Sequence, residues 1–567
     1  MSAAASRSPQ LAVVCVRPGW EECCTPPRHG PRHKLSSSVL VMLGGVRCGL
    51  VRILRPSSPS LSRALTISAA PRQATAPAAE QQTSAPRSVW EVPGPRVYPL
   101  IGCLPSFLLD KSTRNNQVHL FFHKMLERYG PIVKFISPLN PPILIIAKPD
   151  DAETLIRATM DNPIRDGFTS LEKIRKEAAD NYFENKTGLL TENGEEWWRV
   201  RSRVQTSMMK VREVLSYLPV MDQISMEFMN RIASLQSQFG EMPHDFQNEI
   251  YKWALESVGS VALNRRLGCL DPNIAADSEP MKLIKLANEF FSSLSEVEFS
   301  SHLWMLVQTP SFRRLKKTHE EFLEIADKNI RETEAALQAR TASGGQGEMT
   351  LMEALLLKPG LSRKDVVTLI LDMLIAGIDT TSHTLAFTLY LLARNPEVQK
   401  RLQEEVDTVL GDHTGSLTPN HLAQLSYLKA VVKESMRVFP IVFGTGRVLQ
   451  KDVVLRGFLI PKGWSVVALS MTTGWDESEF PRAKEFLPDR WLRHQPLGPI
   501  HPYASLPFGG GTRMCIGRRI AEQELYTFLA RAMQRFTVDY KYQDMEVICR
   551  MVLTPSRPLK FTFTQRN

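Results

Sequence analysis

The spacing of apolar residues along the chain is mainly that of helices. Apolar positions recur with a helical period in several long stretches, which predict α-helices. These stretches are residues 115–129, 149–159, 194–210, 280–297, 311–339, 364–394, 396–410, 420–438 and 515–535. Short runs rich in branched apolar residues predict strands at 132–136, 143–146 and 465–469. The expected fold is therefore mainly α with a small β part.

The first 89 residues differ in composition from the rest. They hold eleven of the 69 basic residues but three of the 59 acidic ones, which leaves 58 basic and 56 acidic residues in the remainder. This asymmetry argues against a nucleic-acid-binding protein. An Arg-, Ser- and Ala-rich, acid-poor leader is typical of a mitochondrial transit peptide. We therefore predict a transit peptide and lead at 1–89, with the mature start near residue 73, followed by one domain at 90–567. A solvated basic tail without a targeting role is the alternative.

A glycine-rich loop at residues 506–517 leads into an amphipathic helix, with Cys515 at the junction. The three consecutive glycines at 509–511 would let the backbone approach a flat cofactor closely. A cysteine at a helix N-terminus meets free backbone N–H groups and the positive end of the helix dipole, and both favour a metal-binding thiolate. A buried structural cysteine or a phosphate-binding loop remains possible, although no Lys follows the glycines as a phosphate loop requires.

The longest apolar stretch contains two polar residues, Asp379 and Thr380, in its second half. The nearby Gly377 costs about 1 kcal/mol of helix propensity relative to Ala. The hydroxyl of Thr380 can donate to the carbonyl of Ala376, which would loosen the turn and leave a groove for a diatomic ligand beside Gly377. A Thr at a kink in a core helix is the alternative. His383, further along, is more simply a packed histidine than a metal ligand.

The loop around Cys515 resembles a known signature. The pattern F-x-x-G-x-R-x-C-x-G is the haem-ligand motif of the cytochrome P450 monooxygenases, and it is matched here by Phe508, Gly511, Arg513, Cys515 and Gly517. The resemblance covers roughly residues 90–567 and implies a single haem domain. It also implies that the cofactor is haem b and that Cys515 is the thiolate ligand of the iron.

Further motifs of the same family occur in the expected order. Glu434 and Arg437 resemble its E-x-x-R helix, and Arg490 resembles the second Arg of its structural Glu-Arg-Arg cluster. The run A-G-I-D-T-T resembles its oxygen-activation motif, which implies that Asp379 and Thr380 deliver protons.

The resemblance also implies how the haem propionates are held. By the family's pattern they are bound by Trp197, Arg201, Arg447 and Arg513. Arginine suits this role because its fork of donors matches a carboxylate. Each of these residues alone could equally be a surface charge.

The sequence contains no flavin or nicotinamide fingerprint, so electrons are expected from another protein. Lys429 and Lys433 share one helix face, and Arg518 and Arg519 follow Cys515. These positions resemble the mitochondrial branch of the family, in which they bind an acidic iron–sulfur ferredoxin supplied by its reductase. A solvated basic face is the alternative. Attraction between opposite charges would speed the encounter.

The expected function is hydroxylation of a lipophilic small molecule with O2. The mitochondrial resemblance favours a steroid, sterol or secosteroid as substrate and implies a location at the inner membrane, on its matrix side, with peripheral membrane association. Three alternatives stay open: oxidation of a lipophilic xenobiotic, a haem-thiolate isomerase or dehydratase that needs no external electrons, and a non-catalytic haem sensor.

Overall fold

Helices dominate the computed structural model, which describes residues 85–137, 141–244, 246–300, 302–342 and 349–566. The α-helices, in chain order, are α1 (Leu104–Leu109), α2 (Lys111–Arg114), α3 (Val118–Tyr129), α4 (Pro149–Ala158), α5 (Thr169–Lys176), α6 (Gly194–Met209), α7 (Val211–Leu215), α8 (Leu218–Phe239), α9 (Phe246–Ala262), α10 (Glu279–Glu298), α11 (Pro310–Ala342), α12 (Leu351–Leu356), α13 (Arg363–Arg394), α14 (Pro396–Leu410), α15 (Pro419–Gln424), α16 (Ser426–Val438), α17 (Ser470–Gly474) and α18 (Arg518–Arg535).

The strands are short and form small sheets. They are β1 (Arg87–Ser88), β2 (Ile132–Phe135), β3 (Ile143–Ile146), β4 (Thr445–Val448), β5 (Val453–Leu455), β6 (Phe458–Ile460), β7 (Ser465–Ala468), β8 (Phe536–Asp539), β9 (Val547–Arg550), β10 (Val552–Pro555) and β11 (Thr562–Gln565). One sheet has the order β2-β3-β7-β4 and another has the order β1-β6-β5. In the first sheet β3 and β7 are parallel, with Ile143 opposite Ser465, and the other pairs are antiparallel. Two antiparallel pairs, β9–β10 and β8–β11, complete the β part.

The expectation of a mainly α fold with a small β part is confirmed. One predicted helix was wrong, because 420–438 is divided into α15 and α16 at Leu425. The carboxylate of Glu405, on α14, accepts hydrogen bonds from the backbone N–H groups of Tyr427 (2.7 Å) and Leu428 (2.9 Å). It therefore satisfies free amide groups at the start of α16, which a continuous helix would have paired internally.

Helix α13 is the centre of the core. It packs against α9, α11, α16 and α18. Among the described residues it is also the one helix long and apolar enough to cross a membrane, but 83% of its most apolar window is buried inside the protein. A helix that is apolar on nearly all sides is expected at the middle of a large domain.

Most of the predicted transit segment, residues 1–84, lies outside the described residues. The described residues from 85 onward belong to one compact unit.

Candidate active site

Cys515 lies between a 3₁₀ turn (Gly511–Arg513) and the start of α18. Its backbone N–H donates to the carbonyl of Phe508 at 2.9 Å. Its sulfur accepts hydrogen bonds from the backbone N–H groups of Gly517 and Arg518. These N–H groups lie at the N-terminal end of α18, where backbone amides have no hydrogen-bond partner within the helix. The helix begins three residues later than predicted, so Cys515 faces the N-terminus from the preceding loop.

The surroundings of the Cys515 sulfur combine accessibility with desolvation. The side chain has exposed surface, yet burial is the largest cause that raises the pKa of its thiol, while the two amides, Arg201 and Arg518 act to lower that pKa. The sulfur therefore lies in a recess rather than on the outer surface. A cation bound to the sulfur would shift this balance to the thiolate. At Cys549, by contrast, burial raises the pKa to about 12.

Because Gly510 and Gly511, before Cys515, have no side chains, helix α4 can pack closely against this loop. A Cβ at Gly510 would lie 2.7 Å from Cδ1 of Ile156, on α4, and one at Gly511 would lie 3.1 Å from Cγ2 of the same residue. Gly511 also has a φ of +71°, which favours glycine. Close approach to a cofactor was the expected reason for these glycines. At Gly510 and Gly511 the structure instead shows close packing against α4.

Four arginine side chains gather near Cys515. Arg447 donates to the carbonyl of Gly510 at 2.9 Å, and Arg513 donates to the carbonyl of Glu192 at 2.6 Å and lies over the ring of Trp197 at 4.9 Å. Arg201 and Arg165 both interact electrostatically with the Cys515 sulfur. Three of the four were predicted. Arg165, in the loop after α4, was not, because no sequence motif marks it.

The arginine cluster, defined as Arg165, Arg201, Arg447 and Arg513, carries uncompensated positive charge. Burial and the other three arginines lower the pKa of Arg513 to about 8, and burial together with Arg165 lowers the pKa of Arg447 to about 10. Within the described residues, the Nε atoms of Arg165, Arg201 and Arg513 have no hydrogen-bond partner. Within the described ranges none of the four forms an ion pair with a carboxylate.

These observations fit a haem in this position. Buried charges are normally paired, and the two carboxylates that act on the cluster, Asp372 on Arg165 and Glu192 on Arg513, are fewer than its four guanidinium groups. The cluster therefore calls for an anionic ligand. The two propionates of a haem supply two negative charges in the geometry that arginine binds best. The nearby thiol of Cys515, with helix amides donating to it, supplies the donor atom for the iron.

The structure brings Glu434, Arg437 and Arg490 together in one buried cluster. The Glu434 carboxylate accepts hydrogen bonds from Arg437 at 2.8 and 2.9 Å and from Arg490 at 3.0 Å. It also accepts from the indole of Trp491 at 2.8 Å. All lone pairs of the carboxylate are used, as a buried ionic group requires. The arrangement leaves no site for a reacting group.

Thr380 lies on the accessible side of α13. Its hydroxyl donates to the carbonyl of Ala376 at 2.7 Å. From Val366 to Leu392, only Ala376, Gly377 and Thr380 are not buried, and they share one face of the helix. The predicted groove is therefore an open face of α13. The helix is continuous across the turn that was expected to loosen, and the space of the missing Gly377 side chain is filled by Val258, whose Cγ2 would lie 2.8 Å from a Cβ there.

Asp379 is buried next to Thr380. Burial raises the pKa of its carboxyl to about 7, and Arg550 acts in the opposite direction. Its Oδ1 has no partner within the residues that the structure describes. A second buried acid, Glu524 on α18, was not predicted; burial raises its pKa to about 8, and it hydrogen-bonds the side chain of Thr381. His383 is packed in the core, with Nε2 3.2 Å from the hydroxyl of Tyr251.

The four predicted partner-binding residues lie near the surface. Lys433 is exposed, and Lys429 is half-buried with its Nζ donating to the carbonyl of Ala423 at 3.1 Å. Arg518 and Arg519 both contact Glu522, at 2.9 and 3.0 Å. Because the single carboxylate of Glu522 pairs with both arginines, this part of α18 keeps a net positive charge.

Comparison with known proteins gives one consistent family. The family model described as "Cytochrome P450" matches residues 92–563. The chain is 34% identical over 496 residues to "Probable cytochrome P450 49a1" of Drosophila melanogaster, which covers 84% of this chain and 83% of that protein. It is 33% identical to "Probable cytochrome P450 301a1, mitochondrial" of the same organism, over 84% of this chain and 87% of the relative. It is 35% identical to "Cytochrome P450 CYP12A2" of Musca domestica, over 77% and 84%.

Proposed function

The chain belongs to the cytochrome P450 family and is a haem-thiolate monooxygenase, and we propose that it works in mitochondria, where a ferredoxin supplies its electrons and a lipophilic small molecule is hydroxylated. When bound, the haem supplies the O2-activating iron, which places one oxygen atom in a C–H bond and releases the other as water. The observation that carries the proposal is the Cys515 thiol beside an arginine cluster whose positive charge exceeds that of the carboxylates near it.

The residues of this chain divide the work among them. Cys515 is the proposed iron ligand, and Trp197 and the arginine cluster hold the propionates. Phe508 and Gly517 shape the loop, because they contact the backbone N–H and the sulfur of Cys515 respectively. Asp379 holds a proton in the core and Thr380 presents a hydroxyl on the open face of α13, so together they can move protons to the oxygen-binding side.

The ligand assignment is tested with two cysteine variants. Cys515→Ala should lose the red-shifted Soret band of the reduced CO complex, which reports thiolate ligation, whereas Cys549→Ala should keep it. Cys549 is a suitable control because burial suppresses its thiolate. The reverse pattern would show that the ligand is misassigned.

Two observations support the mitochondrial part of the proposal. Several relatives carry "mitochondrial" in their names, and the first 89 residues have the composition of a transit peptide. The ferredoxin is supported by the basic patch, which we define as Lys429, Lys433, Arg518 and Arg519. An acidic partner would be attracted to it over about 8 Å at physiological ionic strength.

Charge reversal tests the ferredoxin. Lys429→Glu with Lys433→Glu should reduce ferredoxin-driven turnover strongly, since like charges across an interface cost several kcal/mol. Turnover with an organic peroxide, which needs no partner, should be preserved. Lys451→Glu with Lys462→Glu is the matched control, because both lysines are exposed and lie on the small β5–β6 sheet region. Loss of both activities would indicate damage to the Glu434 cluster, and full retention of ferredoxin-driven turnover would exclude this patch.

For the substrate, we favour a steroid, sterol or secosteroid. The open face of α13 consists of two residues without polar side chains, Ala376 and Gly377, and of Thr380, which carries one hydroxyl. A face of this composition suits an apolar substrate. A panel of sterols, secosteroids and lipophilic xenobiotics, screened by substrate-induced spin shift, distinguishes a biosynthetic from a xenobiotic substrate. Rearrangement of a peroxide without electron donors would instead indicate an isomerase or dehydratase.

Peripheral association with the matrix side of the inner membrane is supported by an apolar surface near the N-terminus of the domain. Leu100, Leu108 and Leu109 are among the most exposed large apolar side chains in the described residues. Apolar side chains on a short helix can enter the interfacial region of a bilayer. Binding to vesicles of inner-membrane lipid composition should weaken when Leu108 and Leu109 are replaced by Ser.

A further inference from the structure

A group of buried polar side chains lies behind the open face of α13. His383 is on α13 and Tyr251 is on α9; both are buried, and the Tyr251 hydroxyl lies 3.2 Å from His383 Nε2. Asp379, also buried, precedes His383 by four residues on α13. Residues four apart on a helix are neighbours, with Cβ atoms about 5–6 Å apart. His383 therefore borders both Tyr251 and Asp379.

Two atoms of this group have no hydrogen-bond partner in the part of the chain that the structure describes: Nδ1 of His383 and Oδ1 of Asp379. Buried polar atoms in native proteins are nearly always bonded. The two atoms do not bond to each other directly, but since the two residues are one turn apart, one water molecule can join Nδ1 to Oδ1.

The protonation states favour one direction for this hydrogen bond. Burial and Arg550 lower the pKa of His383 to about 3, so the ring is neutral and carries one N–H. Burial and Asp379 raise the pKa of Tyr251 well above its usual value, so it keeps its O–H. When Tyr251 donates to Nε2, the ring proton is at Nδ1, next to the carboxyl group of Asp379, which in its ionised form can only accept. Arg550 of β9 also faces this group, and Glu524 of α18 lies nearby at Thr381.

We propose that His383, held in one tautomer by Tyr251, is a positioning residue that donates a hydrogen bond from Nδ1, through one water molecule, to the Asp379 carboxylate. The inference rests on the proposed proton-delivery role of Asp379. In the step, the protonated carboxyl of Asp379 releases one proton towards Thr380 and becomes a carboxylate. His383 stabilises that carboxylate without giving up its own proton, and a proton taken up from the solvent then returns Asp379 to its protonated form.

Two substitutions at His383 separate its two hydrogen bonds. The amide nitrogen of His383→Asn can take the place of Nδ1 and keep the bond to Asp379. The amide of His383→Gln reaches the place of Nε2, so it keeps the contact with Tyr251 and loses the donor to Asp379. Both variants should retain the Soret band of the thiolate-ligated CO complex. Asp379→Asn and Tyr251→Phe complete the set.

The coupling of electron consumption to product is the first readout. A positioned proton-transfer group contributes about 100- to 10,000-fold, and loss of its positioning partner should cost part of this, about tenfold in His383→Gln, with peroxide released instead. His383→Asn should restore coupling to within about twofold of the parent, and Tyr251→Phe should fall between them. Equal uncoupling in the Asn and Gln variants would overturn the inference, because it would indicate a packing role. Parent-like coupling in His383→Gln would also overturn it.

The protonation of Asp379 is the second readout, and it needs no turnover. The carboxylic-acid infrared band that Asp379→Asn removes should titrate at higher pH in His383→Gln than in the parent, by about one pH unit, because a hydrogen bond to the charged form is lost. It should shift little in His383→Asn. An unchanged midpoint in His383→Gln would overturn the inference. Unchanged coupling in Asp379→Asn would instead show that the proposed role of Asp379 itself is wrong.

Discussion

The hydroxyl of Thr380 donates a hydrogen bond to the carbonyl of Ala376 within an unbroken helix, at 2.7 Å. Thr384 and Thr388 make the same bond to the carbonyls of Thr380 and Thr384, at 2.7 and 2.8 Å. Such bonds are therefore a general feature of this helix. Thr380 differs from the other two because it lies on the open face, whereas Thr384 and Thr388 are buried.

This difference predicts a selective effect of Thr380→Ala. Haem content and substrate binding should be preserved, while most electrons should be diverted to peroxide because protons reach the oxygen-binding side in poor geometry. A positioned proton-transfer group is worth about 100- to 10,000-fold. Product and peroxide formed per electron pair are the measurement. Thr388→Ala, which removes the same type of backbone bond in the core, should stay coupled; similar uncoupling in both variants would show that the helix, not the Thr380 hydroxyl, is responsible.

Replacing Gly377 by Ala should change the free energy of unfolding in a direction that depends on the side chain at position 258. In the parent, Gly377→Ala should destabilise the protein, since its Cβ would lie 2.8 Å from Cγ2 of Val258. Overpacking costs about 1–3 kcal/mol, which outweighs a gain of about 1 kcal/mol in helix propensity. With Val258→Ala already present, the same change should stabilise. Denaturant unfolding of the four proteins of this cycle is the measurement, and destabilisation by Gly377→Ala in both backgrounds would contradict the close contact.

The burial of Asp379 predicts how stability varies with pH. Its pKa is raised from 3.8 to about 7 by burial, so the folded protein binds more protons than the unfolded chain between these values. The contribution of Asp379 to stability is therefore greatest below pH 4, is lost as the pH rises to about 7, and then stays constant. The ionised form costs at most about 4 kcal/mol.

Comparing Asp379→Asn with the parent isolates this effect. The variant should gain stability relative to the parent as the pH rises from 5 to 8, measured by denaturant midpoints. Glu524, whose pKa burial also raises, is present in both proteins and so does not affect the difference. A stability difference that is independent of pH would mean that the Asp379 carboxyl titrates normally.

Local sequence patterns predicted those parts of the site that depend on local geometry. The loop around Cys515 and the i, i+3 pair Glu434–Arg437 are fixed by short spacings, and a hydrogen bond from Thr380 to Ala376 follows from helix geometry. The central helix was predicted to within one residue because its apolar run is long and its capping box is local.

Other features depend on residues that are distant in the sequence. The break at Leu425 requires the carboxylate of Glu405, and the need for glycine at 377 and 510 comes from Val258 and Ile156 respectively. Neither apolar periodicity nor a motif carries this information. The same holds for Arg165, whose place in the arginine cluster is set by the tertiary fold alone.

Arg165 therefore provides a test of the cluster that the sequence did not suggest. Its removal should have opposite effects on the two forms of the protein. Without haem, the guanidinium groups of the cluster repel one another, and burial together with this repulsion lowers the pKa of Arg513; Arg165→Gln should then raise the thermal midpoint of the apoprotein. With haem, the same change removes a proposed partner of the propionates, and charge-assisted hydrogen bonds are among the stronger ones. Transfer of haem to a scavenger protein should accelerate by about tenfold, which corresponds to about 1.4 kcal/mol.

Arg212→Gln, at an exposed position outside the cluster, should change neither the thermal midpoint of the apoprotein nor the rate of haem transfer. A parallel loss of stability in both forms would mean that Arg165 only supports the loop after α4.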